Sequence, residues 1–237
     1  VSAYIGSDIT AGIEVVKSNF PDSIKSNILF VDIGTNGEMA LITKDKITCC
    51  STAAGPAFEG AKITCGTGSV EGAVSKVAFS DGNIIFQTIG NKSPCGICGT
   101  GLIDIVSCML QEQIIDETGA IEDSYDGKFA KYLSDDKFYI TDKLFITQKD
   151  IRELQLAKSA VRSGMETLVL SEGLSFDDIS LLLIAGGFGT YININNSVKI
   201  GLLPEKLMPN TKSIGNTSLE GAYTALINKD ADREINI

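Results

Sequence analysis

Two carboxylates, Asp32 and Glu38, flank the turn Ile33-Gly34-Thr35-Asn36-Gly37. This spacing suits a polyphosphate held by loop amides beside a magnesium ion. Asp32 closes the apolar run that starts at Asn27, and Glu38 opens the next run, which ends at Ile42, so both stand at the turn of a β-hairpin. Magnesium keeps several of its waters, so Asp32 would hold it mostly through water while Gly34, Thr35, Asn36 and Gly37 meet phosphate oxygens. The same residues also suit a capped hairpin in which Asp32 accepts local N–H groups, and the motif alone leaves both readings open. Further glycine-rich turns fall at 55 to 60, 99 to 101 and 186 to 189. Each alone needs no more than a turn glycine; together they suggest a cleft lined by backbone N–H groups. No complete G-x-G-x-x-G is present, and the one Gly-Lys pair, Gly127-Lys128, lacks the rest of a Walker A loop.

The elements that must position these residues are legible in part. After the hairpin, Lys44-Asp45-Lys46 turns the chain into a third strand, Ile47 to Ser51, giving an antiparallel meander where a Rossmann unit would alternate strand and helix. Gly99-Thr100-Gly101 opens a segment with apolar residues at 102, 103, 106, 109, 110 and 114, the period of an amphipathic helix. Residues 116 to 146 are mixed and polar and are expected to pass between two lobes. Thr147 and Asp150 form a capping box ahead of a long helix whose apolar face runs from Ile151 to Val169 and stops at Gly173. Ser180 to Ala185 reads as a strand buried on both faces, ended by Gly186-Gly187-Phe188-Gly189, and a last helix runs through Leu219, Ala222, Tyr223 and Leu226.

Composition removes whole classes of chemistry. The 237 residues contain no His, so imidazole bases, Ser-His-Asp triads and zincin sites are unavailable to the chain. With 20 Lys and Arg against 30 Asp and Glu, the net charge of −10 provides no basic surface for nucleic acid. The longest apolar stretch, Ile179 to Ile192, is broken by glycines and falls short of the roughly 20 residues of a membrane span. Six cysteines at 49, 50, 65, 95, 98 and 108 lack the spacing of a secreted disulfide scaffold, so reduced thiols and a cytoplasmic location are expected. The lone Cys95-Gly96-Ile97-Cys98 offers two of the four ligands of a closed metal site, and free cysteines beside a turn are the favoured reading. The chain begins at Val1 without Met or a signal-type apolar core and reads as a fragment of a longer protein.

Asp32-Ile33-Gly34-Thr35-Asn36-Gly37-Glu38 resembles the first phosphate motif of the acetate and sugar kinase/Hsp70/actin superfamily. Residues 28 to 226 more closely resemble the C-terminal nucleotide-binding region of reductive activators of corrinoid-dependent methyltransferases, including those of O-demethylase systems. The resemblance is carried by DIGTNGE at 32 to 38, STAAGPAFEGA at 51 to 61, CGICGTGLID at 95 to 104, IAGGFGTYI at 184 to 192 and SIGNTSLEGA at 213 to 222. It implies an α/β fold of two ribonuclease-H-like lobes with an ATP cleft between them. The first lobe is expected over 1–115, with a C-terminal helix at 218–228 packing back on it, and the second over 116–217. Asp32 and Glu38 would be the catalytic carboxylates, with Asp32 also serving magnesium. Gly34, Thr35, Asn36 and Gly37, together with Gly55 and Glu59, would lie near the phosphates. Gly99 and Gly101 would form one interlobe connection, Gly215 to Gly221 a second, and Gly186, Gly187, Phe188 and Gly189 would face the adenosine.

The resemblance further implies ATP hydrolysis that drives reduction of cob(II)alamin to cob(I)alamin on a partner corrinoid protein, in a homodimer that meets neither nucleic acid nor membrane. The family's electron carrier is a plant-type two-iron ferredoxin domain with C-x4-C-x2-C spacing, absent from this sequence, so the iron-sulfur cluster is expected in an upstream N-terminal domain. Two other readings stand beside this one. A small-molecule kinase of the same superfamily would need a carboxylate at an acceptor pocket, for which Asp8, Glu59 and Asp104 are the candidates. A nucleotide-stabilised interaction module would bind without turnover.

Overall fold

The computed structural model describes residues 6–21, 23, 26–122, 124–187 and 191–227. Strands β1 (Ile28–Ile33), β2 (Gly37–Ile42) and β3 (Ile47–Thr52) form the meander. The late strands β10 (Leu181–Ala185) and β11 (Thr211–Gly215) join its other side in parallel, giving the sheet order β11-β10-β1-β2-β3, a ribonuclease-H-like arrangement. Alternation along these strands separates two apolar faces. Ile28 and Phe30 of β1, Ala40 and Ile42 of β2, and Leu181, Leu183 and Ala185 of β10 pack on Ile9, Ile13 and Val16 of helix α1 (Ser7–Asn19). Phe30 and Leu183 are fully buried, and truncation to Ala would cost about 3–5 kcal/mol at Phe30 and about 2–5 kcal/mol at Leu183. Gly12 of α1 has no room for a side chain, since a Cβ there would lie 2.5 Å from the Phe30 ring. Helix α5 (Thr217–Ile227) lies along α1, with buried Gly221 against the Ala11 carbonyl.

Strands β4 (Ala73–Ser80), β5 (Asn83–Thr88) and β6 (Gly96–Ile97) make a second sheet, ordered β5-β4-β6. Helix α2 (Gly99–Gln111) packs on β4. Residues 116 to 146 are more than a passage. They carry β7 (Leu133–Ser134) and β8 (Lys137–Tyr139), which with β9 (Phe145–Thr147) make a third sheet, and Phe79, Phe129, Tyr132 and Phe138 cluster beside it. Helix α3 (Gln148–Ser171) follows β9 directly, and α4 (Ile194–Lys199) is a short helix against α2. No helix among the described residues is long and apolar enough to cross a membrane.

The chain forms two compact units, one of Val1–Ala53, Ala160–Thr190 and Pro204–Ile237, the other of Ala54–Ser159 and Tyr191–Leu203. These differ from the expected spans of 1–115 and 116–217 because contacts follow strand pairing rather than sequence order. Parallel pairing returns β10 and β11 to the sheet of β1, while residues 54–115 cluster with 116–159.

The box at the start of α3 does more than cap a helix. Asp150 is fully buried. Its Oδ2 accepts the Thr147 N–H at 2.8 Å and the Thr147 hydroxyl at 2.9 Å, and its Oδ1 accepts the Thr64 N–H at 2.7 Å and the Thr64 hydroxyl at 3.0 Å. One carboxylate therefore fixes both the helix start and the 54–67 loop. Asp150→Ala would leave two backbone donors without this acceptor, at an expected cost of about 2–4 kcal/mol in urea unfolding. A loss below about 0.5 kcal/mol, the range of a neutral surface change, would contradict this role.

Candidate functional site

Parallel pairing brings the carboxyl ends of β1, β10 and β11 side by side, and in open α/β sheets ligands bind outside such ends. Asp32 sits at this end of β1, directly opposite Ala185 of β10 on one side and Glu38 of β2 on the other. Gly186 follows β10, and its N–H donates to the Gly215 carbonyl at 3.0 Å, closing the turn onto the end of β11. A bulge between Ile184 and Ala185 shifts the register just before this point. Gly186 has φ +112, and a Cβ built there would stand 2.2 Å from the Ile33 carbonyl oxygen and 3.0 Å from Asp32 Oδ1. Only glycine allows the turn this close to the hairpin. Gly187 is exposed, and a Cβ there would meet nothing within 4 Å.

The hairpin turn presents Thr35 and Asn36 to solvent. The Gly34 N–H donates to the Asn36 carbonyl at 3.0 Å, so this amide closes the turn and is not aimed at a ligand. Gly37 is buried as the first residue of β2, and a Cβ there would press on the Thr52 hydroxyl at 2.7 Å.

Carboxylates crowd this corner. Burial is the main cause that lifts the Asp32 carboxyl above its ordinary value; a hydrogen bond from Ser218 opposes it, and the charges of Asp8 and Glu38 add to it. Ser218 Oγ donates to Asp32 Oδ2 at 3.1 Å, and the Gly6 N–H donates to Glu38 Oε1 at 3.2 Å. Glu38 Oε2 is buried with no hydrogen-bond partner among the described residues, as is Oγ1 of Thr217, the residue before Ser218. A buried carboxylate oxygen left unpaired, next to a second carboxylate that resists ionisation, fits a hydrated magnesium ion. Among the described residues no group of three or more Cys, Asp or Glu could hold a metal ion alone, so waters and phosphate oxygens would complete the coordination.

Gly55, Glu59, Gly99 and Gly101, also expected at the site, belong to the second unit. Gly55 has φ +76 with open space at its Cβ position, and Glu59 is exposed. Gly99 and Gly101 are buried in the first turn of α2. A Cβ would stand 2.1 Å from the Phe58 carbonyl at Gly99 and 2.2 Å from the Val74 carbonyl at Gly101, so close packing of α2 on the 54–60 loop and β4 accounts for both. Phe188 and Gly189 lie outside the described residues.

Asp104, one of the acceptor-pocket candidates, is only 4% exposed, and its oxygens accept Asn196 Nδ2 at 2.6 Å and the Val77 N–H at 3.1 Å. It fastens α4 to α2, a role that accounts for its burial. Asp8, exposed in the first turn of α1, belongs electrostatically with Asp32. All six cysteines are free; Cys95 is exposed, whereas Cys98 is 1% exposed and bonded to the Val74 carbonyl at 3.3 Å. Ser218 is the site residue that sequence reasoning did not single out. Its signal was Asn216-Thr217-Ser218, a run of helix-capping residues immediately after a strand-end glycine.

Comparison with known proteins identifies the family of the chain. Residues 26–237 match the family model described as the C-terminal domain of RACo, the ASKHA domain. Over 97% of its length the chain is 34% identical to the corrinoid activation enzyme RamQ of Eubacterium limosum, covering 41% of that protein. It is 29% identical over 85% of its length to the Co(II) methylated amine-specific corrinoid protein reductase of Methanosarcina barkeri, covering 39%. The solved structure of a reductive activator for corrinoid, iron-sulfur protein matches with a TM-score of 0.89 and 36% identity, over 99% of this chain and 39% of that one. The chain thus spans about two fifths of the length of the relatives it matches.

Proposed function

The chain belongs to the family of RACo C-terminal ASKHA domains, with the α/β fold of that superfamily, and on that premise we propose that it is the ATP-binding and hydrolysing part of a reductive activator. The whole protein would drive cob(II)alamin to cob(I)alamin on the corrinoid protein of a methyltransferase system, such as an O-demethylase. The iron-sulfur cluster that delivers the electron would belong to an N-terminal domain, and the activator would work as a cytoplasmic homodimer. The observation that carries the nucleotide reading is the pair Asp32 and Glu38 at the strand ends, with one buried oxygen left unpaired.

In this reading Asp32 and Glu38 would hold the metal through its waters, and Thr35, Asn36 and the Gly186-Gly187 turn would line the phosphates and nucleoside. Magnesium, when bound, would supply positive charge to offset that of the polyphosphate. The two carboxylates would supply the negative charge that holds the hydrated ion at the strand ends. Cob(I) is a low-potential state, and a nucleotide can drive its formation only by favouring one arrangement of the activator over another, so ATP acts as a switch for partner binding.

The test is the full-length activator with its corrinoid protein under anaerobic conditions. The cob(I) spectrum should appear with MgATP and a low-potential donor and fail to appear when ATP is omitted; equal reduction without ATP would overturn the coupling. For the 237-residue chain itself, MgATP should raise thermal stability by about 2.7 kcal/mol at 100 times the dissociation constant. AMP, which lacks the outer phosphates, should give a much smaller shift; no stabilisation by ATP would remove the nucleotide reading.

A further inference from the structure

We propose that Ser218 is a positioning residue for the metal side of this site: its hydroxyl holds the Asp32 carboxylate in the orientation that receives hydrated magnesium. The proposal rests on the nucleotide reading above and adds to it a residue 186 positions from Asp32 in sequence.

Three observations carry it. First, a serine at the start of a helix ordinarily caps that helix, yet here Asn216 does so, its Oδ1 accepting the Leu219 N–H at 3.0 Å. The half-buried Ser218 instead donates its hydroxyl to Asp32 Oδ2 on a different element. Second, Ser218 stands on a fixed platform. Gly221 lies so close to the Ala11 carbonyl that a Cβ would stand 2.4 Å from its oxygen, and Thr217 is fully buried. The preceding Gly215 carbonyl accepts the Gly186 N–H, so β11, α5 and the glycine turn are set as one piece. Third, Asp32 stands directly opposite Glu38 across the hairpin, so two like charges share one face. A free carboxylate would rotate away from Glu38. A neutral hydroxyl fixes it without neutralising it, whereas a lysine at 218 would cancel the charge the metal needs. Hydrogen-bond partners of metal-linked carboxylates act in this way, and their loss typically weakens metal affinity tenfold to a hundredfold.

The experiment compares the parent chain with Ser218→Ala and Ser218→Thr, titrated with ATP in excess magnesium and again in EDTA, alongside ligand-free melting curves. Ser218→Ala should weaken MgATP binding by about tenfold while leaving metal-free ATP binding close to the parent's and lowering the ligand-free melting temperature only by the small step that loss of one hydrogen bond entails. Ser218→Thr, which keeps the hydroxyl, should restore MgATP binding. Parental MgATP affinity in Ser218→Ala, or an equal loss in magnesium and in EDTA, would overturn the positioning role while the nucleotide reading stands. A parent chain that binds ATP no better with magnesium than with EDTA would overturn the metal reading and this proposal with it. A parent that binds no ATP would overturn the nucleotide reading as well.

Discussion

Asp32→Asn should cut ATP turnover by about 100-fold or more, the scale seen when a charge-stabilising group is removed from a transition state, and should leave the melting temperature at pH 7 equal to the parent's or above it. The second half follows from the direction of the Asp32 shift. Its carboxyl is raised above the ordinary value of 3.8 by burial, against the Ser218 hydrogen bond, with Asp8 and Glu38 adding to the rise. A raised carboxyl stabilises the fold in its protonated form. That contribution is fully present below the ordinary value of 3.8 and is lost as pH rises through the raised one. At pH 7 the ionised side chain therefore burdens the fold, and a neutral amide of the same shape does not. The variant's advantage should shrink as the pH approaches 4. Melting curves at the two pH values, read beside ATP hydrolysis, test both halves together. Parental turnover in Asp32→Asn would sink the metal role, and a large loss of stability at pH 7 would show that Asp32 serves the hairpin instead.

Gly186→Val should remove MgATP binding and cost about 3 kcal/mol or more, while Gly187→Ala, one residue away, should stay within about 0.5 kcal/mol of the parent. At Gly186 the backbone has φ +112, and a β-carbon would meet the Ile33 carbonyl oxygen at 2.2 Å, well inside contact distance. A β-branched side chain resists such a φ, and the clash pushes directly on the strand that carries Asp32. At Gly187 a Cβ meets nothing within 4 Å, so any effect of Gly187→Ala on binding would come from the ligand rather than from the fold. Urea unfolding and ATP titration of the two variants separate these causes. A stable Gly186→Val with parental affinity would mean that the turn does not need its close approach.

The hairpin was legible because Asn27 to Ile42 changes from apolar run to turn residues and back within short steps, and the structure follows it nearly residue for residue. Helix α3 was legible from its period and its Thr147-Asp150 box, although the box gave no sign that Asp150 also holds Thr64. Strand β4 escaped notice because a register irregularity between Val74 and Lys76 breaks the period-two pattern on which a strand is recognised. The β7–β8 hairpin was hidden by its turn. Asp135 and Asp136 both have positive φ, at 51° and 57°, where the usual two-residue signal is Asn-Gly, so the pair gives no hairpin signal in a mixed, polar stretch.

At the site, Asp32, Glu38 and Gly186 could be picked out because each sits where a strand meets a turn. Gly99 and Gly101 could be picked out too, but a glycine selected for helix packing and one selected for phosphate approach look alike in sequence. Ser218 was invisible as a partner of Asp32 because the parallel pairing of β1, β10 and β11 is what joins them, and no local pattern encodes a contact across 186 positions.

The central claim is that phosphates and magnesium meet this chain at the carboxyl ends of β1 and β10. A crystal structure of the chain with magnesium and a non-hydrolysable ATP analogue tests it most directly. The expected density places the phosphates against the turn at residues 34 to 37 and the Gly186-Gly187 turn, with the metal joined to Asp32 through water and Ser218 still bonded to that carboxylate. An analogue bound elsewhere, for instance in the groove of about 390 Å³ lined by Arg162, Leu170 and Phe176, with the strand ends empty, would contradict it.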